Sequence, residues 1–95
     1  MITHVVLFKM KEPVEEHATT VAARLRAMEG KAAGLAAITV GEDVNRGPRA
    51  YDLCLITKHE DRDALVAYQV DPTHRAVKAY IDEVAEGSVV VDYVD

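Results

Sequence analysis

The dipeptide Asp71-Pro72 constrains the fold of this chain more than any other pair of residues. Proline has no N–H to give to a helix and holds the residue before it in extended backbone, so a helix arriving at Val70 has to stop. The same pair opens a second helix, with Asp71 as its cap and Pro72 at the first helical position, where the missing N–H is not needed. Asp61 is the natural cap of the preceding helix, whose inward stripe carries Ala64, Leu65 and Tyr68. His74, Val77, Ile81 and Val84 share the inward stripe of the new helix, which Gly87 is expected to end. A phenol and an imidazole are thus aimed at one interior from two successive helices.

The remaining pattern supplies a sheet beneath them. Thr3 to Met10 alternates as a strand, with His4, Val6 and Phe8 on one side and Val5 and Leu7 on the other. Pro13 suits the first turn of a helix whose buried stripe is Ala18, Val21, Ala22, Leu25 and Met28, with Gly30 as its stop. A second strand is expected over about Leu35 to Val44, with Gly41 as a bulge or kink, and Asn45-Arg46-Gly47-Pro48 makes a turn. Tyr51 to Lys58 is the third strand, and Val89 to Val94 the fourth. The order β-α-β-β-α-β, with its last helix broken in two, predicts an α+β, ferredoxin-like domain over residues 1–95, with helices on one face of a four-stranded antiparallel sheet.

The other face of that sheet is apolar as well: Val5 and Leu7, then Leu53 and Leu55 or their neighbours, then the run of valines at the end. A surface of this kind in a small domain marks an interface, and the economical solution packs two sheets face to face about a two-fold axis. Homodimerisation is the expectation. Other partners are narrowed by charge. A net charge of −5, scattered basic residues and only five aromatic side chains argue against nucleic acid. No apolar stretch approaches 18 residues and no charged-then-apolar leader precedes Thr3, so no membrane span and a cytoplasmic location are expected. Cys54 stands alone in an apolar run, which excludes an intrachain disulfide and makes it a small hydrophobe.

Three segments carry a family resemblance. Ile2-Thr3-His4-Val5-Val6-Leu7-Phe8-Lys9 opens the chain, Leu65-Val66-Ala67-Tyr68-Gln69-Val70-Asp71-Pro72-Thr73-His74 spans the helix break, and Val91-Asp92-Tyr93 comes near its end. Their order and spacing resemble the stress-responsive A/B barrel domain family of dimeric α/β-barrel proteins. The resemblance implies a dimer with a central barrel built from two sheets, and a small cavity between sheet and helices in each subunit. The family includes plant stress-related proteins and a plant cyclase that closes a linear polyketide into an aromatic acid. Carried onto this sequence, the cyclase's working residues correspond to Tyr68 and His74, with His4 as a pocket neighbour and Asp92 as the carboxylate that orients His74. Two departures separate this chain from that enzyme: Asp71 stands where many relatives have histidine, and the first-helix stripe of Ala18, Val21, Ala22 and Leu25 lacks aromatics.

These residues admit three readings. A ligand site would be lined by His4, Val6, Phe8, Tyr68 and His74. An enzyme would use His74, held by Asp92, to move a proton beside a carbonyl that Tyr68 polarises. A structural module would use the same groups as a closed hydrogen-bonded network that fixes helix to strand. No cofactor is called for. His4, His74 and Asp92 contain the residue types of a two-histidine, one-carboxylate metal set, but they come from three separate elements without local ligand spacing, so no metal site is expected. His17 and His59 are expected at solvated element edges, Glu12, Glu15 and Glu16 at a helix start, and Glu42-Asp43 on loop surface.

Overall fold

A computed structural model describes residues 1–95. The elements run β1 (Ile2–Met10), α1 (Val14–Arg26), β2 (Ala37–Glu42), β3 (Leu53–His59), α2 (Arg62–Val70), α3 (Pro72–Val84) and β4 (Ala85–Val94). The sheet has the order β2-β3-β1-β4, with every neighbouring pair antiparallel. This is the expected ferredoxin-like βαββαβ arrangement. None of the helices is long and apolar enough to cross a membrane.

The alternation in β1 sorts its side chains as expected. Val6, Phe8 and Met10 are buried beneath the helices, whereas Leu7 is exposed on the opposite face. Across the ladder Val6 pairs with Leu55 and Leu7 with Cys54, which decides between the two alternatives for β3. Leu53 and Leu55 belong to the core, and their neighbours Cys54 and Ile56 share the outer face with Val5 and Leu7. On the other side of β1, Val5 pairs with Val91 and Leu7 with Val89, extending that apolar outer face.

Above the inner face, α1 buries Ala18, Val21, Ala22 and Leu25 completely enough to form one cluster with Phe8, Leu53 and Leu55. The helix break is capped as the sequence requires. Asp61 accepts from the Ala64 N–H at 2.8 Å, and Asp71 accepts from the Thr73 and His74 N–H groups at 2.9 and 3.2 Å. A third bond to Asp71, from the Ala33 N–H at 3.2 Å, ties the break to the loop after α1. These N–H donors stabilise the carboxylate and hold Asp71 below the usual carboxylate range, the Ala33 contact most of all.

Several boundaries differ from expectation: α1 ends at Arg26, four residues before the expected stop at Gly30, and β2 is shorter at both ends than the expected strand. Gly87 does not end α3; the helix stops at Val84 and the chain enters β4 directly at Ala85. Continued pairing with β1 prolongs the valine strand toward its start, and hydrogen bonds of a ladder outweigh a local stop signal. The bulge expected at Gly41 also falls elsewhere. Gly41 pairs regularly with Cys54, and the register shift lies where Lys9 faces Gly87 and Met10 faces Ala85, leaving Glu86 as the extra residue.

Two glycines after α1 have positive φ, for different reasons. Gly30, at φ +74°, faces open space, whereas a Cβ on Gly34 would sit 2.0 Å from the Ala64 carbonyl oxygen. Urea unfolding should therefore separate them. Gly30→Ala should cost about 1–2 kcal/mol, the penalty for an L side chain in left-handed backbone. Gly34→Ala should cost clearly more, because α2 has to move as well; equal losses would contradict the packing described.

Candidate functional site

The inner face of the sheet next to β4 is only partly covered. Helix α3 is strongly amphipathic, yet only Ile81 on it is fully buried, while Val77 and Val84 are half-buried and Val90 beneath is 58% exposed. Between α3 and the sheet lies a solvent-connected cavity of about 690 Å³. Its apolar wall comes from Val6, Phe8, Leu25, Leu55, Val77 and Ile81. His4, His74 and Asp92 supply polar groups to the same wall.

Each polar group has a distinct local cause. His4 projects from the inner face of β1, and strand register puts Asp92 of β4 directly across from it. Its Nδ1 donates to the Asp92 carboxylate. This corrects the expectation that Asp92 orients His74. Directly opposed side chains on one face of a strand pair are close enough to bond, and a side chain as short as aspartate is satisfied there before it can reach the helix above. With Nδ1 bonded to Asp92, His4 keeps Nε2 for other partners.

His74 stands on the first turn of α3 with its ring against Tyr68, 4.2 Å between centroids. Its Nδ1 is buried without a hydrogen-bond partner. Burial holds its proton affinity below that of free imidazole, outweighing the opposing influence of the Gln69 backbone; the nearby His4 adds to the lowering. Tyr68 itself is fully buried, its hydroxyl is also without a partner, and it does not form part of the cavity wall. Burial alone pushes its pKa up to about 12, so the phenol stays protonated near neutral pH. Of the five ligand-site residues expected from sequence, His4, Val6, Phe8 and His74 therefore line the cavity, and Tyr68 stands one layer behind His74.

The residue that sequence reasoning misplaced is His59. Expected in solvent, it is fully buried at the end of β3, with its ring 4.8 Å from that of Tyr68 and 6.4 Å from that of His4. Its Nδ1 lies 2.7 Å from the Gly34 carbonyl, which can only accept, so that nitrogen carries the proton. Nε2 then accepts from the Thr57 hydroxyl at 2.8 Å. Both ring nitrogens are used, the ring is neutral, and burial lowers its pKa. The signal was present: Leu53, Leu55 and Thr57 alternate inward, and one further step reaches His59. The expected strand ended one residue too early.

The other residues singled out lie apart from the cavity. His17 is half-buried and donates Nδ1–H to the Lys11 carbonyl at 2.9 Å. Asp43 accepts from the Asn45 and Arg46 N–H groups and organises the loop between β2 and β3. No group of three or more histidine, cysteine or acidic side chains has the geometry to hold a metal ion.

A family model described as the stress responsive A/B barrel domain matches residues 2–95. The chain belongs to this family. Among solved structures, it is similar to a dimeric protein of unknown function with a ferredoxin-like fold from Bacteroides fragilis, with 23% identity, 99% of this chain and 95% of that one covered, and a TM-score of 0.88. A dimeric ferredoxin-like protein of unknown function from Thermobifida fusca shows 25% identity over 99% of this chain and 90% of that one, with a TM-score of 0.87. A hydroxynitrile lyase from Passiflora edulis shares the fold at 16% identity, with 99% and 92% coverage and a TM-score of 0.83. No curated protein matches the sequence.

The lowered proton affinity of His59 and His74 has a signed consequence for this A/B barrel protein. As pH falls below about 6.5, the unfolded chain takes up protons that the buried rings resist, so stability decreases; well above that value these rings contribute no slope. At fixed protein concentration, the urea midpoint should be lower at pH 5.5 than at pH 7.5, and His74→Gln should reduce the difference. A midpoint that rises on acidification would contradict the burial of these rings.

Proposed function

We propose that this protein is a homodimer that binds a small, largely apolar molecule in the cavity between α3 and the sheet, with His4 and His74 as its polar contacts. The observation that carries the reading is the cavity itself. At about 690 Å³ it falls within the range of small-molecule sites, and its apolar wall ends in a few convergent polar groups. A closed structural core would leave no such space. The incomplete burial of the amphipathic face of α3 supports the same reading, because a bound molecule would cover Val77 and Val90.

The dimer is supported by the outer sheet face. Leu7, Val89 and Val91 are exposed there beside Val5, Ile56 and Cys54, and similar structures are described as dimeric. Sedimentation at micromolar concentration should give twice 10.4 kDa. Leu7→Lys or Val5→Glu should shift it toward the monomer, since an unpaired charge buried in such an interface is strongly unfavourable. A folded wild-type monomer at these concentrations would defeat the dimer.

Binding can be tested with 2-naphthylmethanol, a rigid neutral probe small enough for the cavity. At 100 times its dissociation constant it should stabilise the protein by about 2.7 kcal/mol in thermal unfolding. Val77→Trp, which fills the cavity from α3, should remove that stabilisation while keeping the fold. No shift with the wild type would count against the site.

One observation favours a second reading, proton transfer to and from a bound carbonyl compound. The His4–Asp92 pair fixes one imidazole tautomer in the cavity wall, an arrangement suited to a general base. The base is then His4 rather than His74, and Tyr68, set behind His74, is not placed against the reacting atoms. Deuterium exchange at the acidic α-carbon of 2-tetralone would reveal it by NMR. Acceleration by the wild type, reduced about 10²-fold or more in His4→Gln, is the expected result; equal rates with and without protein would leave binding alone.

A further inference from the structure

The charged groups around the cavity are unevenly divided. One lysine, Lys78, faces three carboxylates, Asp82, Glu86 and Asp92, an excess of two negative side chains over lysine. Lys78 is not a free cation either. It donates to both carboxylate oxygens of Asp82, one turn along α3, at 3.1 and 3.3 Å. Asp92 is shared with His4, but Glu86, the extra residue in the β1–β4 register, has no ion-pair partner.

Acceptors for a donor-bearing ligand are also in place. His4 gives its Nδ1 proton to Asp92 and turns Nε2 toward the cavity. The carboxylates of Glu86 and Asp82 are acceptors. Among the lining groups, Gln69 and Ser88 keep side-chain donors, His74 keeps its ring N–H, and Lys78 keeps one ammonium proton beyond the two given to Asp82. The wall is negative, and its carboxylates offer acceptors that its one paired lysine does not exhaust.

We infer that the cavity selects molecules presenting a hydrogen-bond donor on an apolar frame, amines and alcohols, and rejects carboxylates. This rests on the binding reading above and narrows it to a ligand class. A carboxylate would bring a third negative charge to a site that already holds an excess of two, and would find no free cation. An ammonium or hydroxyl group would meet acceptors that are already in place. Because Lys78, Asp82 and Glu86 are exposed, the charge part of the selection should weaken as salt shortens the reach of their field, from about 10 Å at 0.1 M to about 3 Å at 1 M.

Three probes of one shape test this: 2-naphthylmethylamine, 2-naphthylmethanol and 2-naphthoate, titrated by fluorescence against the intact protein at pH 7.5. In 50 mM salt the amine and the alcohol should bind, and the naphthoate should bind at least about tenfold more weakly than the alcohol. In 1 M salt the spread between amine and naphthoate should narrow. The double variant Asp82→Asn, Glu86→Gln, which alters two exposed side chains, should also narrow it in low salt. Naphthoate binding as tightly as the alcohol in the wild type would overturn the selection while leaving the binding site intact. Failure of all three probes to bind would overturn the site and the selection together.

Discussion

The ladder between β1 and β4 determines where every other important group can reach. It places Asp92 opposite His4 on the helix side and Val89 and Val91 opposite Leu7 and Val5 on the outer side. One register therefore fixes both the polar pair in the cavity wall and the apolar face supporting a dimer. A slip of one residue would reverse both faces. The ladder also draws the chain directly from α3 into β4, so α3 leans over the sheet at its edge and leaves the space beneath it open.

The polar interior is layered. His59 is saturated by Thr57 and the Gly34 carbonyl, a bond made possible because the glycine lets its loop close against α2. Tyr68 is wedged between His59 and His74, with burial keeping it protonated. His4 and His74 form the outermost layer, at the cavity. Leaving a buried polar atom unpaired costs roughly 1–3 kcal/mol. The unpaired Tyr68 hydroxyl and His74 Nδ1 therefore weaken the fold, and His74 belongs to the cavity wall.

Much of this arrangement was legible in the sequence, and the errors share a physical origin. Asp61, Asp71 and Pro72 act through neighbours within three residues, so their roles as caps and helix break could be read locally. The inward stripe of α1 and the alternation of β1 follow from periodicity alone. The partner of Asp92 could not be read that way: it depends on β1–β4 register, a contact spanning 88 residues of sequence. His59 was missed because a histidine next to Glu60 and Asp61 looks like loop, although the alternation of β3 continues through it. Tyr68 and His74 were correctly placed on inward stripes, but stripes cannot tell a cavity wall from the layer behind it.

The layering can be tested directly through the imidazole rings. Ring ¹H and ¹⁵N signals of His4, His17, His59 and His74 should be followed by NMR while 2-naphthylmethanol is added at pH 7.5. His4 and His74 should shift with a common saturation curve, whereas His59, with both nitrogens occupied and sealed behind Tyr68, should stay in its Nδ1–H tautomer, and His17 should not respond. Saturable shifts confined to His17, or a His59 ring that changes tautomer while His4 and His74 remain still, would contradict the account.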